Sequence, residues 1–142
     1  MNKMNVKTKK QRIEWEREEL IYVLDFYFQN FEIISGNAGS NSHFLSNDNK
    51  NIIDVSNTLR EMHSQSGRDI SNNYTLRNPN GIIKILLNLL DCDPRPKKSN
   101  GLSNGGEHLK KIFKEFYEDQ FDCKFKASGI EDEVKMEMFS FL

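Results

Sequence analysis

The segment Arg77-Asn78-Pro79-Asn80-Gly81-Ile82-Ile83-Lys84-Ile85-Leu86-Leu87-Asn88-Leu89-Leu90 constrains the fold more than any other part of the chain. It passes from turn chemistry to an apolar helix with no spacer. The Asn78 side-chain oxygen can accept from the free N–H groups at a helix start. Pro79 suits the first helical position, where its missing N–H is no loss. From Ile82 onward only Lys84 and Asn88 are polar, and being four apart they share a face. The spacing predicts a buried helix over about residues 79–90 with one polar stripe. That stripe reads either as the solvated edge of a core helix or, with Arg77 at the start, as a surface that meets an anion such as a DNA phosphate.

The rest of the pattern is also helical, with no convincing alternating strand. A helix is expected from about Gln11 to Phe31, with Leu20, Val23, Leu24, Tyr27 and Phe31 on one face. Residues 35–50, dense in Ser, Asn and Gly, predict a loop. Asp48 or Asn49 can cap a second helix to about Met62, whose stripe is Ile52, Val55, Leu59 and Met62. Asp93-Pro94-Arg95-Pro96 ends the 79–90 helix, because proline cannot continue it. A fourth helix over about 107–121 carries Leu109, Ile112, Phe113, Phe116 and Phe121. Gly129 is expected to break the chain before a last short helix, Glu131–Leu142, with Val134, Met138 and Phe141 aligned. The fold class is all-α: four to five helices with long polar loops and a trihelical, DNA-binding-like core.

At 142 residues a single domain is expected. Twenty basic residues against 21 acidic ones leave a net charge of -1, so any basic surface must be local. No run has the apolar length of a membrane span. The basic start is followed by charged residues, not by the apolar core of a secretory signal. Cys92 and Cys123 fit reduced thiols better than a disulfide framework or a zinc site. A cytoplasmic protein with no membrane partner follows. The expected organisation is a flexible basic leader over 1–12, a helical DNA-recognition domain over 13–130, and a C-terminal helical segment or linker over 131–142.

Catalytic chemistry has little to stand on. His43, His63 and His108 are isolated in polar sequence and read as surface histidines. Asp91 and Asp93 read as turn residues, and a metal-dependent hydrolase would need them to converge with a histidine. Asn104-Gly105-Gly106-Glu107 reads as a plain loop ahead of an anion-holding nest. No phosphate loop, dinucleotide fingerprint or serine elbow is present, so no cofactor is expected. Arg60, Arg68, Arg77 and Lys84 are candidate phosphate or guanine contacts, with Lys97 and Lys98 adding backbone charge.

Three blocks, in order, carry a family resemblance. The first is Trp15-Glu16-Arg17-Glu18-Glu19-Leu20-Ile21 followed by Leu24-Asp25-Phe26-Tyr27-Phe28. The second is Ile53-Asp54-Val55-Ser56-Asn57-Thr58-Leu59-Arg60. The third is Arg77-Asn78-Pro79-Asn80-Gly81-Ile82 with Lys84, Leu86, Asn88, Leu89, Asp93-Pro94 and Gly101-Leu102. Together they resemble the N-terminal helical domain of bacterial HNH endonucleases of the modification-dependent (type IV) restriction class. Phe113-Lys114-Glu115-Phe116 with Asp119 is similar to a later helix of that family, so the likeness covers about residues 13–130. The Trp15–Leu20 stretch is also similar to Myb/SANT trihelical domains.

The resemblance implies that Trp15, Arg17 and Glu19 define the fold, and that Arg60, Arg77, Asn78, Lys84 and Asn88 face DNA. The HNH module, with its paired histidines, asparagine and metal, is missing from the sequence. The implied activity is therefore non-catalytic targeting of double-stranded DNA, unmodified or modified, for a nuclease in the same or another chain. The alternative is a protein-interaction or dimerisation module, in which Val134–Leu142 docks through Met136, Met138, Phe139 and Phe141.

Overall fold

A computed structural model describes residues 13–37, 43–97, 101–103 and 105–140. Its elements are α1 (Arg17–Gln29), α2 (Phe31–Asn37), α3 (Lys50–Gln65), α4 (Pro79–Cys92), α5 (Gly106–Tyr117) and α6 (Gln120–Phe139). The described residues contain no strand, so the fold is all-α. Among them, no helix is long and apolar enough to cross a membrane. The expected leader over 1–12, and Phe141, lie outside the described residues.

A side-chain cap opens three of the six described helices. Asn49 Oδ1 accepts from the N–H of Asn51 at 2.8 Å, opening α3. Asn78 Oδ1 accepts from Gly81 N–H at 2.8 Å, and Pro79 takes the first position of α4. Asp119 Oδ1 accepts from Asp122 N–H at 3.1 Å at the start of α6. Each satisfies an N–H that the helix itself leaves unpaired.

Four expected boundaries are corrected. The first helix, expected from about Gln11, begins at Arg17, and residues 13–16 ahead of it are not helical. The helix read to Phe31 ends at Gln29, because Asn30 leaves helical geometry (φ -117°, ψ 18°) while its side-chain amide donates to the Phe26 carbonyl. A separate helix, α2, then occupies Phe31–Asn37. Phe121 belongs to α6 and not to α5, which stops at Tyr117. Gly129 does not break the chain: α6 runs through it to Phe139. A helical glycine costs about 1 kcal/mol relative to alanine. Burying Cys123, Ala127 and Val134 along the inner face of α6 outweighs that cost.

The helices close around one core. α1 packs most extensively on α6, and α4 and α5 cover its other sides. α3 packs on α4 and α6. α4 bridges α1 and α3, the first and second expected helices, and α6 bridges the same two. Leu24, Tyr27, Ile34, Ile52, Leu59, Ile82, Leu86 and Leu90 form the fully buried centre. Tyr27, Phe28, Phe31, Phe113 and Tyr117 make edge-on and stacked ring contacts at 5.5–6.1 Å beside it.

Candidate functional site

Arg77 lies inside the protein, with its guanidinium turned towards α1. Its Nε and Nη2 donate to the Glu19 carboxylate at 2.6 and 2.9 Å, and its Nη atoms donate to the carbonyls of Ile13 and Glu14. The Trp15 ring covers the guanidinium at 4.2 Å. Arg77 also has φ 51°, a left-handed conformation unusual outside glycine, and Ser56 Oγ donates to its carbonyl at 2.7 Å. Burial pushes the Glu19 carboxyl up, but hydrogen bonds from Arg77 and the Glu16 N–H, with the guanidinium charge, leave it below the ordinary range.

His63, expected at the surface, completes this network. It is 3% exposed, and its Nε2 lies 2.9 Å from Glu19 Oε2. Nδ1 lies 3.1 Å from an Arg68 guanidinium nitrogen, which can only donate. Nδ1 is therefore the acceptor, and Nε2 carries the proton given to Glu19. The signal was present in the sequence, since His63 falls four residues after Leu59 on the apolar side of α3.

Arg60 is likewise turned inward. Its Nη1 donates to the carbonyls of Asn73 and Leu76 at 2.9 and 2.7 Å, pinning the segment between α3 and α4. Lys97 Nζ donates to the Asp93 carbonyl at 2.6 Å. Asn88 is half-buried beside Gly105, and its Oδ1 has no partner among the described residues. Lys84 is exposed on α4, and Lys98 lies outside the described residues. The sequence candidates are thus not brought to one face. Arg60, Arg77 and Asn78 hold the segment leading into α4, and acidic Glu14, Glu16 and Glu18 lie near the Arg77 end.

A second buried knot follows α4. Asp93 accepts from the Tyr27 hydroxyl at 2.8 Å and from the Arg95 Nη2 at 2.6 Å. The Arg95 guanidinium sits 3.7 Å over the Phe31 ring. Burial raises the Asp93 carboxyl, and the Arg95 and Tyr27 hydrogen bonds more than reverse this. Burial and the neighbouring Asp93 push the Tyr27 hydroxyl far up. In both arrangements the carboxylate is engaged by a guanidinium within the fold.

The described residues hold no group of three or more His, Cys, Asp or Glu able to bind a metal ion. Burial and the Asp25 charge push the Cys123 thiol up to about 12, and burial and Asp91 raise Cys92, which disfavours the thiolate in both. A surface groove of about 660 Å³ between α4 and α5 is lined by Cys92, Pro94, Phe113 and Tyr117, with Lys110, Lys114, Asp91 and Glu118 at its edge. Its cations and anions offset one another and point to no ligand.

The outer face of α6 is different. Phe121, Phe125, Met136 and Phe139 are 79%, 72%, 73% and 66% exposed. At 3.6 residues per turn they share one side of the helix with Ser128 and Asp132. Cys123, Ala127 and Val134 occupy the opposite side and are buried. Being apolar on both sides, α6 shows no single stripe in its sequence. A scan against protein-family models and searches of curated proteins and solved structures find no match to the chain.

Proposed function

We propose that this chain is a non-catalytic interaction module whose outer α6 face docks a helical surface of a protein partner. The observation that carries this reading is the row Phe121, Phe125, Met136 and Phe139, each large, apolar and mostly exposed. Scattered surface apolar residues are ordinary, whereas four large ones on one side of a single helix, in two pairs flanking Ser128 and Asp132, mark an interaction site. A helix face is a convex ridge, and the complementary shape is a groove or another helix with apolar residues at matching steps. The reading favours a protein over DNA because Arg60 and Arg77 are engaged within the fold.

Hydroxyl-radical footprinting of the dilute chain, with duplex titration by fluorescence anisotropy, tests it. Strong labelling of Phe121, Phe125 and Met136, with no salt-sensitive response to unmodified or methylated duplex, is expected. Protection of those side chains at high dilution would overturn the reading. Salt-dependent duplex binding would return function to DNA recognition through the remaining surface lysines.

A further inference from the structure

The outer face of α6 also carries information about what covers it. Its apolar residues are disposed almost symmetrically about Gly129 and Ile130, with Phe121 and Phe125 before them and Met136 and Phe139 after. Small Ser128 and Gly129 lie at the centre, and nothing lies within 4 Å of where a Gly129 side chain would begin. The charges are not symmetric. The first half of α6 holds Asp122 against Lys124 and Lys126, while the second holds Glu131, Asp132, Glu133 and Glu137 against Lys135. Lys126 pairs with Asp122, and Lys135 with Glu131. Among the described residues, Lys124, Asp132, Glu133 and Glu137 form no salt bridge within the chain.

We infer that this face pairs with the same face of a second copy of the chain, antiparallel, about a two-fold axis near Gly129. The inference rests on the reading of outer α6 as a docking face. In a two-fold contact each residue pair occurs twice. Phe121 then meets Phe139 of the second copy, Phe125 meets Met136, and Ser128 can donate to Asp132. On one flank Lys126 of each α6 then lies beside Glu133 of the other; on the opposite flank Lys124 lies beside Lys135, whose charge is paired with Glu131 of its own helix. A parallel pair would set Asp132 against Asp132 at the centre of the face. Covering the four large side chains at their observed exposure removes on the order of 1,000 Å² over both copies, taking ~200 Å² for each fully exposed side chain. That is the lower edge of a specific interface, the size of a reversible contact and not of an obligate unit.

Sedimentation velocity on the full chain from low to high micromolar concentration, with footprinting of the same samples, is the test. The expected result is a monomer–dimer shift in which Phe125 and Met136 lose labelling as dimer forms. Phe125→Asp should remain monomeric with unchanged circular dichroism. Lys126→Glu should weaken association about tenfold, as charge reversal at an interface does. Combining it with Glu133→Lys should restore association. A chain that stays monomeric throughout while its α6 face remains labelled overturns self-pairing but leaves the docking face standing. A dimer indifferent to Phe125→Asp overturns the use of this face. A dimer in which Lys126→Glu weakens association but Glu133→Lys fails to restore it overturns the antiparallel register.

Discussion

Glu19, in the first turn of α1, and Arg77, just before α4, lie 58 residues apart and share hydrogen bonds of 2.6 and 2.9 Å. Their side chains are 1% and 6% exposed. Ser56 on α3 holds the Arg77 carbonyl, so this pair joins the start of α1, α3 and the entry to α4. The charge that the sequence offers to a phosphate is instead used to fix three helices relative to one another.

Removing one member leaves the other charged and buried. Arg77→Ala is expected to lower stability by about 3–5 kcal/mol. Arg77→Lys should not restore it, because an ammonium cannot reproduce the planar fork that reaches Glu19, Ile13 and Glu14 together. Urea denaturation checks both variants. A loss under about 1 kcal/mol would show the pair to be as weak as a surface one.

The contrast between caps and ion pairs explains what the sequence disclosed. Asn49 and Asn78 were legible as caps because their partners lie two or three residues on. The roles of Arg77 and Arg60 were not, because a cation in a sequence does not reveal the neighbour that folding brings to it. Trp15 and Glu19 emerged as fold-defining only through resemblance, and their contacts with Arg77 supply the physical reason. Outer α6 was half-legible: Met136, Met138 and Phe139 stood out, while Gly129 hid their continuity with Phe121 and Phe125.

Acid should unfold the protein through its two buried carboxylates. Glu19 and Asp93 both have folded-state values below the ordinary range. Such groups contribute stability above the unfolded pKa, about 4, and lose it as pH falls through the folded value. Stability should hold down to about pH 5 and drop steeply below about pH 4. Asp25 acts in the opposite sense, because burial raises its carboxyl. Asp25→Asn should therefore gain stability at neutral pH, and Asp93→Asn should flatten the acid limb. Thermal unfolding across pH 2.5–7 measures both; an acid limb unchanged in Asp93→Asn would exclude that carboxylate as its source.

Arg60 and Lys84, both sequence candidates for DNA contact, should separate in stability. Arg60→Ala removes charge-assisted hydrogen bonds to Asn73 and Leu76 and is expected to cost about 1.5–3 kcal/mol. Amide exchange over residues 70–76 should accelerate with it. Lys84→Ala alters an exposed position and should stay within about 0.5 kcal/mol. Equal, small effects from the two would mean that Arg60 does not pin the loop.

Two glycines should respond to alanine with opposite signs, because one is required by close approach and the other is not. A Cβ at Gly101 would run into the Leu87 carbonyl and the Asp91 backbone nitrogen, where Leu102 N–H donates to Leu87 at 3.1 Å. Gly101→Ala must push this loop off α4 and should cost about 1–3 kcal/mol. Gly129 sits inside α6 with open space where its side chain would be. Gly129→Ala reduces the freedom of the unfolded chain without a clash, and should raise stability by about 0.5–1 kcal/mol. Differential scanning calorimetry at low concentration measures both without contribution from association. A destabilised Gly129→Ala would mean that the helix bends or breaks there, dividing the outer row of Phe and Met residues into two unrelated patches.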